Sequence, residues 1–225
     1  MKNKKIIFAI LICLLIISTI LSLFLWSNII SDGKKIEQTG FVDFRRPIAL
    51  SNNFDVDSRE NIYFASQSSP IIQIFDKNSK YLYSLDLNEK LDHNVYGAKY
   101  VRILDDDSIE VYIVRSKEIA KFNKLGFLVD EKIIETGEFT SLLHSVIPSN
   151  FRVEKNGISY YANPQNNFFS SIYKQDVEKN TLFFKTPIEE VLFMLFRMIA
   201  ICLLIIVIIF KLVDYLRSKK SKNHK

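Results

Sequence analysis

Two long apolar runs constrain this chain more than anything else in it. They are IIFAILICLLIISTILSLFLW, Ile6 to Trp26, and VLFMLFRMIAICLLIIVIIF, Val191 to Phe210. At about 1.5 Å per helical residue each spans roughly 30 Å, the thickness of a bilayer's hydrocarbon core. The sequence therefore predicts one membrane-spanning helix near each end. Lys2, Lys4 and Lys5 precede the first run, and Lys211, Arg217, Lys219, Lys220, Lys222 and Lys225 follow the second. Basic flanks stay on the cytoplasmic side, so both tips are expected in the cytoplasm of a two-pass plasma-membrane protein, with the middle of the chain outside. The first run is too long for the apolar part of a cleaved signal, and its exit, SLFLWSNIIS, lacks a small-x-small cleavage site. It reads as an uncleaved anchor.

The predicted organisation is residues 1–5 cytoplasmic, 6–26 first span, 27–190 outer domain, 191–210 second span and 211–225 basic cytoplasmic tail. Trp26, Lys211 and Tyr215 fall where the spans meet the interfaces, which suits their amphipathic side chains. Arg197 is the one ionisable residue inside a run. It lies about 10 Å from the outer end, within reach of snorkelling toward Glu189 or Glu190; the other reading pairs it with an acidic group of another membrane protein. The two cysteines, Cys13 and Cys202, both lie in the spans and read as small packing residues, so the outer domain has no disulfide framework.

The formal charge of +5 hides a split. Residues 27–190 carry 20 Lys+Arg against 24 Asp+Glu, so the excess of positive charge belongs to the membrane flanks. A nucleic-acid-binding domain concentrates its basic residues on the folded part, so nucleic acid is excluded as a partner.

Between the spans the apolar period is two, interrupted by turn residues, as in an antiparallel β meander. The clearest hairpin signal is FRVEK-NG-ISYYA, Phe151 to Ala162, where Asn156-Gly157 suits a two-residue primed turn. Asp105-Asp106-Asp107-Ser108 and Asp76-Lys77-Asn78-Ser79 mark two more turns. Comparing the chain with itself gives three units of four strands each, residues 54–87, 101–134 and 151–184, starting 47 and 50 residues apart. That is the scale of one propeller blade. Between the second and third lies EFTSLLHSVIP, which predicts a short helix capped by Thr140 or Ser141 and stopped by Pro148.

The first unit resembles a blade of NHL-type or related six-bladed β-propellers through Val56-Asp57-Ser58, Asn61-Ile62-Tyr63, Ile72-Gln73-Ile74-Phe75-Asp76 and Lys80-Tyr81-Leu82. The second keeps Ile119-Ala120-Lys121-Phe122-Asn123 and Gly126-Phe127-Leu128, and the third keeps Ile172-Tyr173-Lys174. The resemblance covers about half the chain and implies blade-like sheets. A closed propeller needs at least four blades and the chain has room for three, with 40–50 as an added strand pair. The expected fold class is a mainly β outer domain, a partial propeller or stacked β meanders, flanked by two transmembrane helices; a β-sandwich echoing the blade spacing is the alternative.

No catalytic, metal or cofactor motif appears. His93 and His144 have no ligand spacing around them, and the acids at 105–107 and 110 put Ile and Glu where a calcium loop needs a ligand and Gly. The leading expectation is a non-enzymatic module that binds a membrane or surface protein partner, scaffolds a membrane complex or forms a homo-oligomer. An extracytoplasmic hydrolase and a small-ligand sensor remain the other readings.

Overall fold

The computed structural model describes residues 2–30, 34–46, 53–65, 69–97, 99–146, 152–162, 171–176 and 179–222, with the side chains of 2–5, 146 and 217–222 outside that description. The predicted stop at Pro148, the end of the 40–50 strand pair and Lys225 also lie outside the described residues. The chain divides into two compact units, the terminal helices and residues Ile30–Pro187.

In the helical unit, α1 (Lys2–Ile29) and α4 (Ile188–Lys222) form an antiparallel pair. Phe8 stacks on Phe210 at 5.7 Å between ring centres, and Trp26 meets Phe193 at 5.3 Å. Between these ends the Ser18 hydroxyl donates to the Phe196 carbonyl at 2.7 Å. Both helices outrun the apolar runs predicted from the sequence: the stretches long and apolar enough to cross a membrane are Ile6–Ile29 and Ile188–Leu216. Most large apolar side chains of the pair are exposed, which in water would be prohibitive and in lipid is the favourable arrangement. Cys13 and Cys202 are exposed too, which corrects their reading as packing residues.

The β unit contains three antiparallel sheets. The first orders its strands β1 (Lys34–Lys35), β2 (Val42–Asp43), β6 (Tyr81–Asp86), β5 (Ile71–Phe75), β4 (Ile62–Ala65) and β3 (Phe54–Val56). The second runs β10 (Leu128–Ile133), β9 (Glu118–Phe122), β8 (Ile109–Ile113), β7 (Lys99–Ile103), and the third β11 (Arg152–Lys155), β12 (Ile158–Ala162), β13 (Ser171–Asp176), β14 (Lys179–Lys185). Each of the second and third sheets is a plain up-and-down meander, and so is β3 to β6 of the first. The inner strand β3 approaches both β7 and β11, so the first sheet stands between the other two, as neighbouring blades do around a propeller axis. The fold is mainly β and propeller-like, and the domain is not a sandwich of two sheets.

Alternation along the strands explains this packing. Tyr63, Ala65, Ile72, Ile74 and Leu85 of the first sheet join Val101, Ile103, Val111, Ala120 and Phe122 of the second in one core cluster. Phe54, Phe64 and Phe75, on the opposite face, join Tyr160, Ile172 and Phe184 of the third. A strand buried on both faces has no polar alternation, and β3, β4 and β5 are buried at every residue. The outer face of the second sheet is covered by α3 (Thr136–Val146), through Phe139, Leu142 and Leu143 against Tyr112 and Ile119. This helix begins earlier than the sequence suggested. Thr140 is not its cap: its hydroxyl donates back to the Thr136 carbonyl inside the helix.

One turn recurs in the first two sheets. Asp57, Asp76, Leu104 and Asn123 each start a loop whose fourth residue, Glu60, Ser79, Asp107 or Gly126, takes a positive φ and donates its N–H back to the starting carbonyl. The side chains of Asp57, Asp76 and Asn123 also accept the N–H groups two and four residues on. Short Asx side chains imitate a backbone turn in this way, and that locks each hairpin. The first pair of turns is repeated 47 residues later, at Leu104 and Asn123. The third sheet departs from the pattern: Asn156 (φ 50°) and Gly157 (φ 75°) make the two-residue primed turn.

Candidate functional site

The inner strands β3, β7 and β11 enclose an open groove of about 730 Å³. Its floor is Phe54 and Asp55, one wall is β7 with the turn at 104–106, and the other is β11 with its Asn156 turn; Ser145 of α3 adds to the rim. In a closed propeller the same strands would line the central channel.

The walls are held by side chains that replace a missing strand. Asn53 Oδ1 accepts the Val101 N–H at 2.8 Å, and Asp55 Oδ2 accepts the Ile103 N–H at 2.6 Å. These N–H groups point outward from β7, so both are satisfied without a strand partner. Asp55 Oδ1 accepts the Val56 N–H at 2.7 Å. Lys155 Nζ donates to the Ile103 carbonyl and bridges the two walls. Burial pushes the Asp55 carboxyl above its ordinary range; the Ile103 and Val56 N–H groups and the charges of Lys155 and Arg102 pull the other way.

Among the described residues the other wall has no strand paired along its groove side. A two-residue primed hairpin makes its flanking pair, Lys155 and Ile158, the hydrogen-bonded one, and the alternation then assigns Val153 and Tyr160 to the next such pair. The N–H and C=O groups of Arg152 and Glu154 consequently point away from β12, along the groove side of an edge strand. Their side chains add charge there: Arg152 donates to Gln175 Oε1 at 2.7 Å and lies 3.8 Å from Glu154. With Arg102, Lys155, Asp105 and Asp106, the groove presents both signs of charge from two sheets and their turns.

A smaller cavity of about 200 Å³ beside Asp57 and Tyr63 is a turn rather than a site. The Asp57 carboxylate is already saturated by the N–H groups of Arg59 and Asn61, the Asn61 amide and the Tyr63 hydroxyl.

The residues singled out from the sequence lie on the helices. Arg197 is exposed on α4, with its guanidinium 6.0 Å from the Phe193 ring centre. Trp26 is half-buried against Phe193, Lys211 lies 4.6 Å over the Phe8 ring, and Tyr215 is exposed. None of the groove residues was singled out as a site. The role of Asp55 is to bind backbone across two sheets. No local motif could carry that, because its partner is 48 residues away.

No protein-family model matches the sequence, and neither does any curated protein sequence. Solved structures similar to the chain include a catalytically inactive virginiamycin B lyase from Staphylococcus aureus with quinupristin, 12% identical, TM-score 0.33, covering 65% of this chain and 49% of that one. A streptogramin B lyase is similar at the same identity and TM-score, over 62% and 44%. The chain thus spans about half the length of these structures.

Proposed function

We propose that this is a two-pass membrane protein whose β domain faces away from the cytoplasm and binds an extended segment of a protein partner along β11. The observation that carries the reading is the edge of β11, unpaired among the described residues, inside a charged groove. Arg152 and Glu154 offer backbone donors and acceptors in strand register, and an incoming strand would pair with them as in β-augmentation. The mixed charges of Arg102, Asp105, Asp106 and Lys155 favour a polar segment of both signs over an apolar one. The blade-like units, read as NHL-type, agree with a binding surface, and the basic flanks of the helices support cytoplasmic ends.

A photo-crosslinking amino acid at Arg152, in intact membranes, tests the groove. The expected result is a discrete protein adduct that Glu154→Pro abolishes and that the same probe at Lys132 of β10 does not give. Proline is tolerated where the N–H points off a sheet edge, so the hairpin survives the change. No adduct at Arg152, or the same adducts at both positions, overturns the reading. Topology is tested in a Cys13→Ser, Cys202→Ser background. An impermeant thiol reagent on intact cells should label Lys132→Cys and leave Lys225→Cys unlabelled; the reverse pattern refutes cytoplasmic ends.

A further inference from the structure

Away from the groove, the second sheet brings together three residues with no shared motif. His93 follows α2 (Leu87–Lys90), Glu118 opens β9, and Glu131 lies in β10 opposite Ala120. Their ligand atoms all lie within 4.8 Å of one another. The register explains the convergence: Glu131 and Ile133 stand opposite Ala120 and Glu118, so both carboxylates project from the same face.

Glu118 is the unusual member. Its side chain is fully buried, at 0% exposure. Oε2 accepts from His93 Nε2 at 2.9 Å and from the Ser116 hydroxyl at 3.0 Å. Oε1 is buried too and has no hydrogen-bond partner among the described residues. A carboxylate oxygen removed from water without a partner costs free energy, and a cation is the ligand that removes that cost. Glu131 sets a second carboxylate beside it, a repulsive arrangement in the absence of positive charge. His93 and Glu131 are exposed, so an ion has an entry path from solvent.

We infer that His93, Glu118 and Glu131 form a binding site for a divalent transition-metal ion, Zn²⁺ or Mn²⁺. One imidazole nitrogen with carboxylate oxygens suits these ions better than Ca²⁺ or Mg²⁺, which favour all-oxygen shells. Three protein ligands leave positions open for water or for a group from outside the chain. The Ser116 hydroxyl orients Glu118 from behind, as outer hydrogen bonds commonly orient metal ligands. The site is independent of the β11 groove and does not rest on the binding reading.

The full chain in detergent, stripped of metal, is titrated with Zn²⁺ by calorimetry and with Mn²⁺ by electron paramagnetic resonance. The expected result is one ion bound per chain, with a ¹⁴N coupling to Mn²⁺ that His93→Ala removes. Because loss of outer-shell partners alone weakens metal sites by about 10–100-fold, Glu131→Gln and His93→Ala should each weaken Zn²⁺ at least about tenfold. Both residues are exposed, so these variants stay folded, which circular dichroism checks. His144→Ala should leave the titration unchanged. Absence of binding, or binding that survives both His93→Ala and Glu131→Gln, overturns the site and leaves a hydrogen bond between His93 and Glu118.

Discussion

The central sheet meets its two neighbours through seams of different make. Toward the second sheet the contact is largely aliphatic, stitched by Asn53 and Asp55 to the β7 backbone and by Asp107, whose carboxylate accepts from the Ser58 N–H and hydroxyl at 2.9 and 2.6 Å. Toward the third sheet it is aromatic. Phe64 lies 4.9 Å from Phe184, 5.8 Å from Phe75 and 6.3 Å from Phe54 between ring centres, and Glu60 accepts from Tyr160 and Lys174. The first seam joins two sheets with the same turns, so it repeats a solution. The second joins sheets with different turns, and ring packing with one polar cross-link takes the place of repeated stitching. The seams should therefore fail separately and under different conditions.

The largest expected effect comes from removing a ring. Phe64→Ala in this cluster should cost about 3–5 kcal/mol, a large part of the stability of an ordinary domain. Urea unfolding measures the loss. Hydrogen exchange then decides the comparison: amides of β12 and β13 should speed up more than those of β8 and β9. Equal acceleration in both sheets would mean that the two seams open as one unit.

The first seam has a weakness that the second lacks. Lys99 is 1% exposed on the core-facing side of β7, and among the described residues its ammonium donates to the Gly97 carbonyl at 2.8 Å with no carboxylate beside it. Burial lowers its pKa from 10.5 to about 8. A depressed lysine destabilises the fold most below the folded value, where the buried group is charged. Stability should therefore rise as pH climbs from about 8 toward 10.5. Lys99→Met keeps the length and removes the charge. It should raise stability at pH 7 by an amount on the order of 3 kcal/mol at most and flatten that alkaline rise. Urea midpoints at pH 7 and 10 check both parts, and an unchanged alkaline slope would remove the contrast between the seams.

Much of this architecture was legible in the chain. The period-two pattern gave the mainly β class, and Asn156-Gly157 suited a tight primed turn because both residue types tolerate the positive φ it needs. Asp76 marked its hairpin through the side-chain bonds that short polar residues make locally, and Asn123 makes the same bonds in the second sheet. What stayed hidden depends on residues far apart in sequence. Asp55 bonds to a backbone 48 residues on, and Glu60 meets Lys174 across 114. His93, Glu118 and Glu131 come from a loop and two strands, so no spacing links them. The start of α3 was misjudged because Thr140 has the chemistry of a cap, and only the fold shows that its hydroxyl turns back into the helix.

The smallest predicted effect tests the polar half of the second seam. The Lys174 hydrogen bond holds Glu60 below the ordinary glutamate value of 4.5, with burial opposing and the Tyr160 hydroxyl helping. A depressed carboxyl contributes stability above 4.5 that is lost as pH falls through its folded value. The pair is partly exposed, so its contribution is discounted to below about 1 kcal/mol. Glu60→Gln keeps an acceptor for Tyr160 and loses the charge. Wild type should lose more stability than the variant between pH 6 and 3, in urea midpoints followed by the near-ultraviolet signal of the tyrosines. If the two fall in parallel, the aromatic cluster alone holds the third sheet, and the difference between the seams reduces to rings against backbone stitching. If they diverge, acid weakens this seam while alkali strengthens the other, and pH alone can then shift the balance between them.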